Sequence, residues 1–261
     1  MSTTESLLLP DDPAPYTLVN EHARTPFVLT CDHAGRTLPA RLGDLGLPES
    51  ELSRHIAWDL GVAGLGRALA HRLDAFLILQ TYSRLVIDVN RPPGTPESIV
   101  TLSERTTIPG NLGLREEDKR AREQAVFAPY HARIERELTR RSSVGAGTPV
   151  VLVALHSFTP RFKDVDRSWH AGILYGRDQR VARLMLTHLQ GESDLIVGDN
   201  EPYAVSDDTD YTVVVHGERR GIAHVEIEVR QDLLSDETGQ QSWAERLARA
   251  LELSFSALFP A

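Results

Sequence analysis

The sequence holds a single cysteine, Cys31, so no disulfide can close within the chain and a cysteine-rich zinc module is excluded. It also lacks a basic excess. The formal charge is −9 at neutral pH, which argues against a nucleic-acid binder while leaving room for a local basic pocket. No stretch approaches the roughly 20 consecutive apolar residues that cross a bilayer. The opening Met1-Ser2-Thr3-Thr4-Glu5 has neither a basic start nor an apolar core. The expectation is a cytoplasmic protein with no nucleic-acid or membrane partner, and nothing in the sequence sets its oligomeric state. A dinucleotide fingerprint is missing too: Gly61, Gly64 and Gly66 come in the wrong order, with no strand immediately before them.

What is present is an ordinary globular composition over 261 residues, read here as one domain spanning 1–261. Residues 1–20 carry Pro10, Pro13 and Pro15 and read as an irregular arm. Phe27-Val28-Leu29-Thr30 is an apolar, β-branched run that delivers Asp32 and His33 to a strand end, where Gly35 and Pro39 break the backbone. In an open α/β sheet that edge is where ligands bind. His33 there serves as a metal ligand or a general base, or only bonds locally.

Pro149 to Leu155 repeats the pattern: an apolar strand, then His156, then the breaker Pro160. Arg161, Lys163, Arg167 and His170 follow, a basic loop in an acidic protein that suits an anionic substrate. Residues 48–74 read as one helix, with His55 and Asp59 four apart on a shared face, as a surface pair or as site residues. Ala75–Gln80 reads as a strand, and so does Tyr82–Arg91, which carries Arg84 at its start and ends in Asn90-Arg91, a fork of donors for a carboxylate or a structural ion pair. Residues 92–113 read as a long loop or lid, 115–141 as a charged helix, 142–148 as a turn and 179–190 as an amphipathic helix. Ile173–Tyr175 reads as a short strand, and Gly198–Tyr203, with Asn200, as a polar turn at the site or simply at the surface. On the last strand, from Ala223, Val225, Ile227 and Val229 share one face while Glu226, Glu228 and Arg230 share the other. Buried carboxylates there must be paired or functional; a pairing with an arginine suits Glu226, and Glu228 is the better catalytic candidate. Residues 241–258 read as an amphipathic terminal helix.

Two strand-end histidines, an Asp and a strand Glu make a mononuclear zinc site with a general base. Zinc lowers the pKa of water, a carboxylate takes the proton, and arginines hold a substrate carboxylate and the developing oxyanion. That is metal-assisted amide hydrolysis, with Zn²⁺ or another divalent ion. Two rivals stand beside it. Cys31 and His33 fall on one side of an extended strand and could pair as nucleophile and base. A non-catalytic protein could use the basic pocket to bind an acidic ligand.

The segments CDHAGRTLP (31–39), HIAWDLG (55–61), YSRLVIDVNRP (82–92), LHSFTP (155–160), GDNEPY (198–203) and VEIEVRQDLL (225–234) resemble the N-formylglutamate amidohydrolase family. That resemblance implies a zinc-dependent hydrolase of a linear amide, acting on a small anionic N-formyl or N-acyl amino acid such as N-formyl-L-glutamate. It implies an α/β fold, a three-layer α/β/α sandwich with a mixed, mostly parallel sheet, similar to zinc carboxypeptidases and aspartoacylase. It makes His33 and His156 the histidine ligands and Glu228 the general base. Arg91, with Asn90, is placed at the substrate carboxylate, and Arg84, Arg161, Arg167 and Asn200 are further substrate-binding candidates. The carboxypeptidase pattern has a Glu three residues after the first His, where this chain has Arg36. Asp59 is therefore chosen as the acidic ligand, with Asp32 second.

Overall fold

The structure is a computed structural model and describes residues 6–144 and 149–260. In chain order its strands are β1 Tyr16–Val19, β2 Phe27–Cys31, β3 Phe76–Gln80, β4 Leu102–Ser103, β5 Thr106–Thr107, β6 Val151–Phe158, β7 Arg161–Phe162, β8 Val165–Asp166, β9 Ala171–Leu174, β10 Val197–Asp199 and β11 Ala223–Arg230. Its α-helices are α1 Glu49–Leu52, α2 Val62–Leu73, α3 Glu116–Arg122, α4 Ala128–Val144, α5 Arg180–Gln190 and α6 Glu237–Leu258.

One seven-stranded sheet runs in the order β1-β3-β2-β6-β11-β9-β10. The pairs β3–β2, β2–β6, β6–β11 and β9–β10 are parallel, while β1 and the β11–β9 junction are antiparallel. Every residue of β2 and β6 is buried, which suits parallel strands covered on both faces. On one face Leu29, Val153, Leu155, Val225 and Ile227 pack under α2, α5 and α6, through Leu65, Leu69, Met185, Leu247 and Leu251. On the other, Val28, Phe76, Ile78 and Leu152 pack under Tyr130, Ile134 and Leu138 of α4. The molecule is a three-layer α/β/α sandwich.

Several elements depart from the sequence reading, each for a local reason. The arm is not irregular throughout, because Tyr16–Val19 pairs antiparallel with β3; residues 1–5 lie outside the described part. The 48–74 stretch is two helices, since Gly61 sits at φ 79°, a left-handed conformation that stops a helix. His55 and Asp59 therefore share no helical face. Tyr82–Arg91 is a series of turns: Ser83 Oγ donates to Ala57 O at 2.7 Å and accepts from Leu85 N at 3.1 Å, so the apolar run Leu85–Ile87 is buried without being extended. The 92–113 loop contains the β4–β5 hairpin. Helix α4 continues through Ser142 and Ser143 where a turn was expected, and 145–148 fall outside the described residues. Strand β6 extends to Phe158, so His156 lies within the strand instead of beyond it.

Alternation along β6 and β11 now positions the site. Leu152 and Val28 face α4, so Ala154, His156, Glu226 and Glu228 project toward that same layer. Glu228 is paired in register with His156, and Glu226 with Ala154, whose small side chain leaves space beside it. The carboxyl ends of β2, β6 and β11 thus open on one cavity.

A candidate metal-centred active site

The cavity, about 340 Å³, is lined among others by His33, His55, Asp59, Arg84, Asn90, Arg91, His156, Tyr203, Asp210, Glu226 and Glu228. At its floor the rings of His33 and His156 stand edge to face, 4.9 Å apart. Their Nδ1 atoms converge on Asp59 Oδ2, at 3.4 Å from His33 and 3.0 Å from His156. The turn before α2 is tied to the end of β2, with Asp59 N donating to His33 O at 2.9 Å. That bond, and not a helical face, brings Asp59 to the histidines.

This trio fits a metal. Tetrahedral zinc with ligands at about 2.0–2.2 Å requires donor atoms roughly 3.3 Å from one another, close to the 3.4 and 3.0 Å that separate Asp59 Oδ2 from the two Nδ1 atoms, and all three donors lie within 4.8 Å of one another. His33 Nδ1 is buried with no hydrogen-bond partner. The opposite ring nitrogens face carboxylates: His33 Nε2 lies 2.7 Å from Asp88 Oδ1, and His156 Nε2 lies 3.5 Å from Asp32 Oδ2. A carboxylate behind a histidine places the proton on Nε2 and leaves Nδ1 as the ligating lone pair. The carboxylates are anchored in turn. Tyr130 Oη donates to Asp32 Oδ1 at 2.7 Å, and Arg84 Nη2 donates to Asp88 Oδ2 at 2.6 Å. Sequence reasoning missed Asp88 and Tyr130 in these roles and weighed Asp32 only as a substitute ligand. The available signal was a carboxylate inside the apolar run Leu85–Val89, which has to be paired when buried.

Charge in the trio follows the geometry. Burial alone would raise the Asp59 and Asp88 carboxyls, but the His33 and His156 rings hold Asp59 well below the usual range, and Arg84 with His33 does the same for Asp88. Burial alone would lower His156, yet its contacts with Asp32 and Asp59 hold it well above an ordinary imidazole. The trio is built to hold positive charge.

Glu226 and Glu228 behave oppositely. Their Oε2 atoms are buried without a hydrogen-bond partner, and burial pushes both carboxyls up to about 8. The Glu–Arg pairing expected for Glu226 does not form. Arg230 turns past the strand end to Asp232, with Nε 2.8 Å from Oδ1.

The remaining candidates separate. Arg84, Asn90 and Arg91 line the cavity; Asn90 Oδ1 accepts from Tyr211 N at 3.0 Å and Thr212 N at 2.9 Å, which fixes the loop that carries Arg91. Arg167 stands one residue back, stacked 4.8 Å over the Tyr203 ring and donating to its hydroxyl at 2.8 Å. Arg161 is 60% exposed in the β7–β8 hairpin beside Asp166 and is not brought to the cavity. Asn200 points away from it: Oδ1 accepts from Tyr175 N at 2.9 Å, and the residue lines a different depression. Cys31 is fully buried under α2, with Sγ 3.8 Å from Val62 O, and burial pushes its thiol well above its ordinary value. It does not line the cavity or pair with His33.

A sequence model of the N-formylglutamate amidohydrolase family matches residues 25–235, a span that contains every residue of this site. The chain belongs to the N-formylglutamate amidohydrolase family. Among solved structures it is similar to the gene product Atu2144 from Agrobacterium tumefaciens, at 36% identity over 97% of this chain and 99% of that one, with a TM-score of 0.92. It is also similar in fold to an N-formylglutamate amidohydrolase from Ralstonia eutropha JMP134, at 20% identity over 93% and 97% of the two chains, with a TM-score of 0.63. No protein of curated function matches the chain. Among the described residues, no helix is long and apolar enough to cross a membrane.

Proposed function

We propose that this protein is a metal-dependent amidohydrolase that cleaves the amide of an N-formyl or N-acyl amino acid, with zinc as the ion. The observation that carries this reading is the convergence, in one cavity, of a His33–Asp59–His156 trio and the unpartnered carboxyl of Glu228. Family membership supports it. Bound by the trio, the ion would act as a Lewis acid, polarising the acyl carbonyl and acidifying water.

The chain's own residues do the rest. Arg91, set by Asn90, binds the substrate carboxylate. Glu228, which a cation bound at the trio would keep ionised, accepts a proton from the attacking water as its oxygen bonds the acyl carbon, then delivers that proton to the amide nitrogen as the C–N bond breaks. The products are a carboxylic acid and a free amino acid. Asp32 and Asp88 keep both imidazoles oriented throughout, and Arg84, beside Asp59 and Asp88, adds positive charge near the developing oxyanion. The test is metal content of the purified protein together with N-formyl-L-glutamate and related N-formyl amino acids as substrates, before and after chelation. About one zinc per chain, with turnover lost on chelation and restored by zinc, is the expected result. Turnover that survives complete removal of metal would sink the reading.

A further inference from the structure

Two buried histidines stand outside the chemistry described so far. His131 lies on α4, one residue after Tyr130, and His216 lies in the π-helical turn Thr212–Gly217. Among the described residues, Asn90 and Arg91 line the cavity and these two histidines do not. His131 nevertheless reaches the turn that carries Arg91. Its Nε2 lies 2.8 Å from Val89 O, and its Nδ1 lies 3.0 Å from His216 Nε2. The two rings are 17° from parallel with centroids 5.2 Å apart, so their nitrogens meet edge to edge.

The direction of this relay follows from its end. A carbonyl only accepts, so the proton facing Val89 O sits on His131 Nε2. Burial lowers both rings, to about 4 and about 3, and keeps them neutral at neutral pH. A neutral ring protonated on Nε2 presents a lone pair at Nδ1, and His216 Nε2–H donates to it. His216 Nδ1 is then the bare nitrogen at the far end, and it has no hydrogen-bond partner.

Val89 joins two parts of the site. Before it, Asp88 stands behind His33; after it, Asn90 and Arg91 line the cavity. The two sides are not anchored equally. The Asp88 carboxylate is held by Arg84 Nη2 at 2.6 Å, His33 Nε2 at 2.7 Å and Asn90 N at 2.9 Å. Arg91 Nη1 donates to Asn90 O at 3.0 Å, a contact within the turn that moves with it, and stands 3.6 Å from Asp210 Oδ1. The place of Arg91 therefore depends on how the turn is held. Residues 211–217 hold it twice: Tyr211 N and Thr212 N donate to Asn90 Oδ1, and His216 acts through His131 on Val89 O.

We propose that His131, fixed in one tautomer by His216, is a positioning residue that holds Arg91 in place for the substrate carboxylate through its hydrogen bond to Val89 O. This deepens the amidohydrolase reading and rests on its assignment of Arg91. A misplaced Arg91 weakens a contact made in the ground state and the transition state alike, so KM rises while kcat stays.

The experiment follows zinc-loaded wild type, His131→Phe and His131→Gln by steady-state kinetics on N-formyl-L-glutamate and by amide hydrogen exchange at residues 88–91. Phe keeps an aromatic ring against Phe127 and Tyr211, whose centroids lie 4.3 and 4.5 Å from that of His131, but brings no donor. Gln gives up the ring and keeps an N–H for Val89 O. In His131→Phe, KM should rise about tenfold, the effect of one lost hydrogen bond to a buried carbonyl, with kcat within a factor of about two. The Asn90 and Arg91 amides should exchange faster. In His131→Gln both readouts should return most of the way to the wild type. A role in packing alone would give the reverse order, with Phe near the wild type and Gln impaired, and would overturn the proposal. A fall in kcat at constant KM would overturn it too. Should His131→Phe not fold, His216→Leu, which removes the donor that sets the tautomer, carries the same prediction at about threefold in KM. If the wild type does not turn over N-formyl-L-glutamate, that failure belongs to the substrate reading, and exchange alone decides. Faster exchange in His131→Phe, restored in His131→Gln, would support the anchoring, and exchange unchanged from the wild type would overturn it.

Discussion

Two clusters of buried carboxylate in this protein are handled in opposite ways. On α4, Glu137 is 1% exposed and saturated with donors: Arg141 Nε at 2.8 Å, Arg140 Nη2 at 2.5 Å and Arg133 Nη1 at 3.3 Å. Burial would raise its carboxyl, and the arginines hold it below the usual range. On β11, Glu226 and Glu228 are almost as buried, form no ion pair with an arginine among the described residues, and are pushed up to about 8. A carboxylate that ties elements together is paired to the limit of its acceptors. One that must exchange protons or accept a ligand is left short of donors inside a cavity. Unmet acceptor capacity, more than burial or charge, separates the working carboxyls from the structural one.

The sharpest way to break that contrast is to neutralise one member of each cluster. Glu228→Gln should reduce kcat by about 10²–10⁴-fold, the usual contribution of a positioned base, with zinc content unchanged and Tm no lower than that of the wild type. Steady-state kinetics, metal analysis and a thermal melt read all three. Activity within a factor of a few of the wild type would move the base to another residue, with Glu226 the first to examine.

The next effect belongs to the structural cluster. Glu137→Ala leaves the buried guanidinium of Arg141 without its carboxylate and Arg133 with only the half-exposed Glu21, 3.4 Å from its Nη2, and breaking such a cluster typically costs about 3–5 kcal/mol. Remaining contacts soften this: Arg141 Nη2 also donates to Ala23 O at 3.1 Å, and Arg133 stacks 4.6 Å over Phe76. A loss near 3 kcal/mol is expected, which lowers Tm by about 2–4 °C per kcal/mol in a chain of this size. The kcat of the folded variant should match the wild type. A variant that melts unchanged would show that the cluster is solvated in practice and that the comparison overstates it.

These contrasts were only partly legible in the sequence. Strands β2, β6 and β11 and their site residues stood out because each is an apolar run interrupted by a titratable group, and burial of such a group requires a reason. Asp59, expected as the acidic ligand, does lie beside both histidines, but not through a helical face: a left-handed glycine and a bond to His33 O, neither visible as periodicity, do what a helix was expected to do. Leu85–Val89 has the composition of a buried strand and the structure of buried turns; an apolar run alone does not distinguish them. Tyr130 sits in a helix read as a charged surface element, and only the packing of α4 on the sheet brings its hydroxyl to Asp32. Arg161 and Asn200 failed as site candidates because a loop's position in sequence says nothing about which way its side chains turn.

The smallest expected effect tests the two clusters through pH. In metal-free protein Glu226 and Glu228 hold their protons up to about 8, while in the unfolded chain they release them near the ordinary glutamate value of 4.5. Between those limits the folded state binds more protons, so stability falls as pH rises through that window. His156, held high by its carboxylates, contributes in the same direction. Glu137 has the opposite sign: its carboxyl is depressed, so the stability it contributes is present above the ordinary carboxylate range and disappears as pH falls through its folded value. His131 and His216, lowered by burial to about 4 and about 3, also weaken the fold on acidification, because the unfolded imidazoles protonate first. The Tm of the chelated wild type should therefore decline as pH rises between about 5 and about 8. In Glu226→Gln/Glu228→Gln that alkaline decline should shrink, leaving the part due to His156, while in Glu137→Gln it should persist and the acid limb should change instead. An alkaline limb equally steep in the double variant would mean that the β11 carboxyls are already ionised at neutral pH, and with that the opposition between the two clusters would disappear.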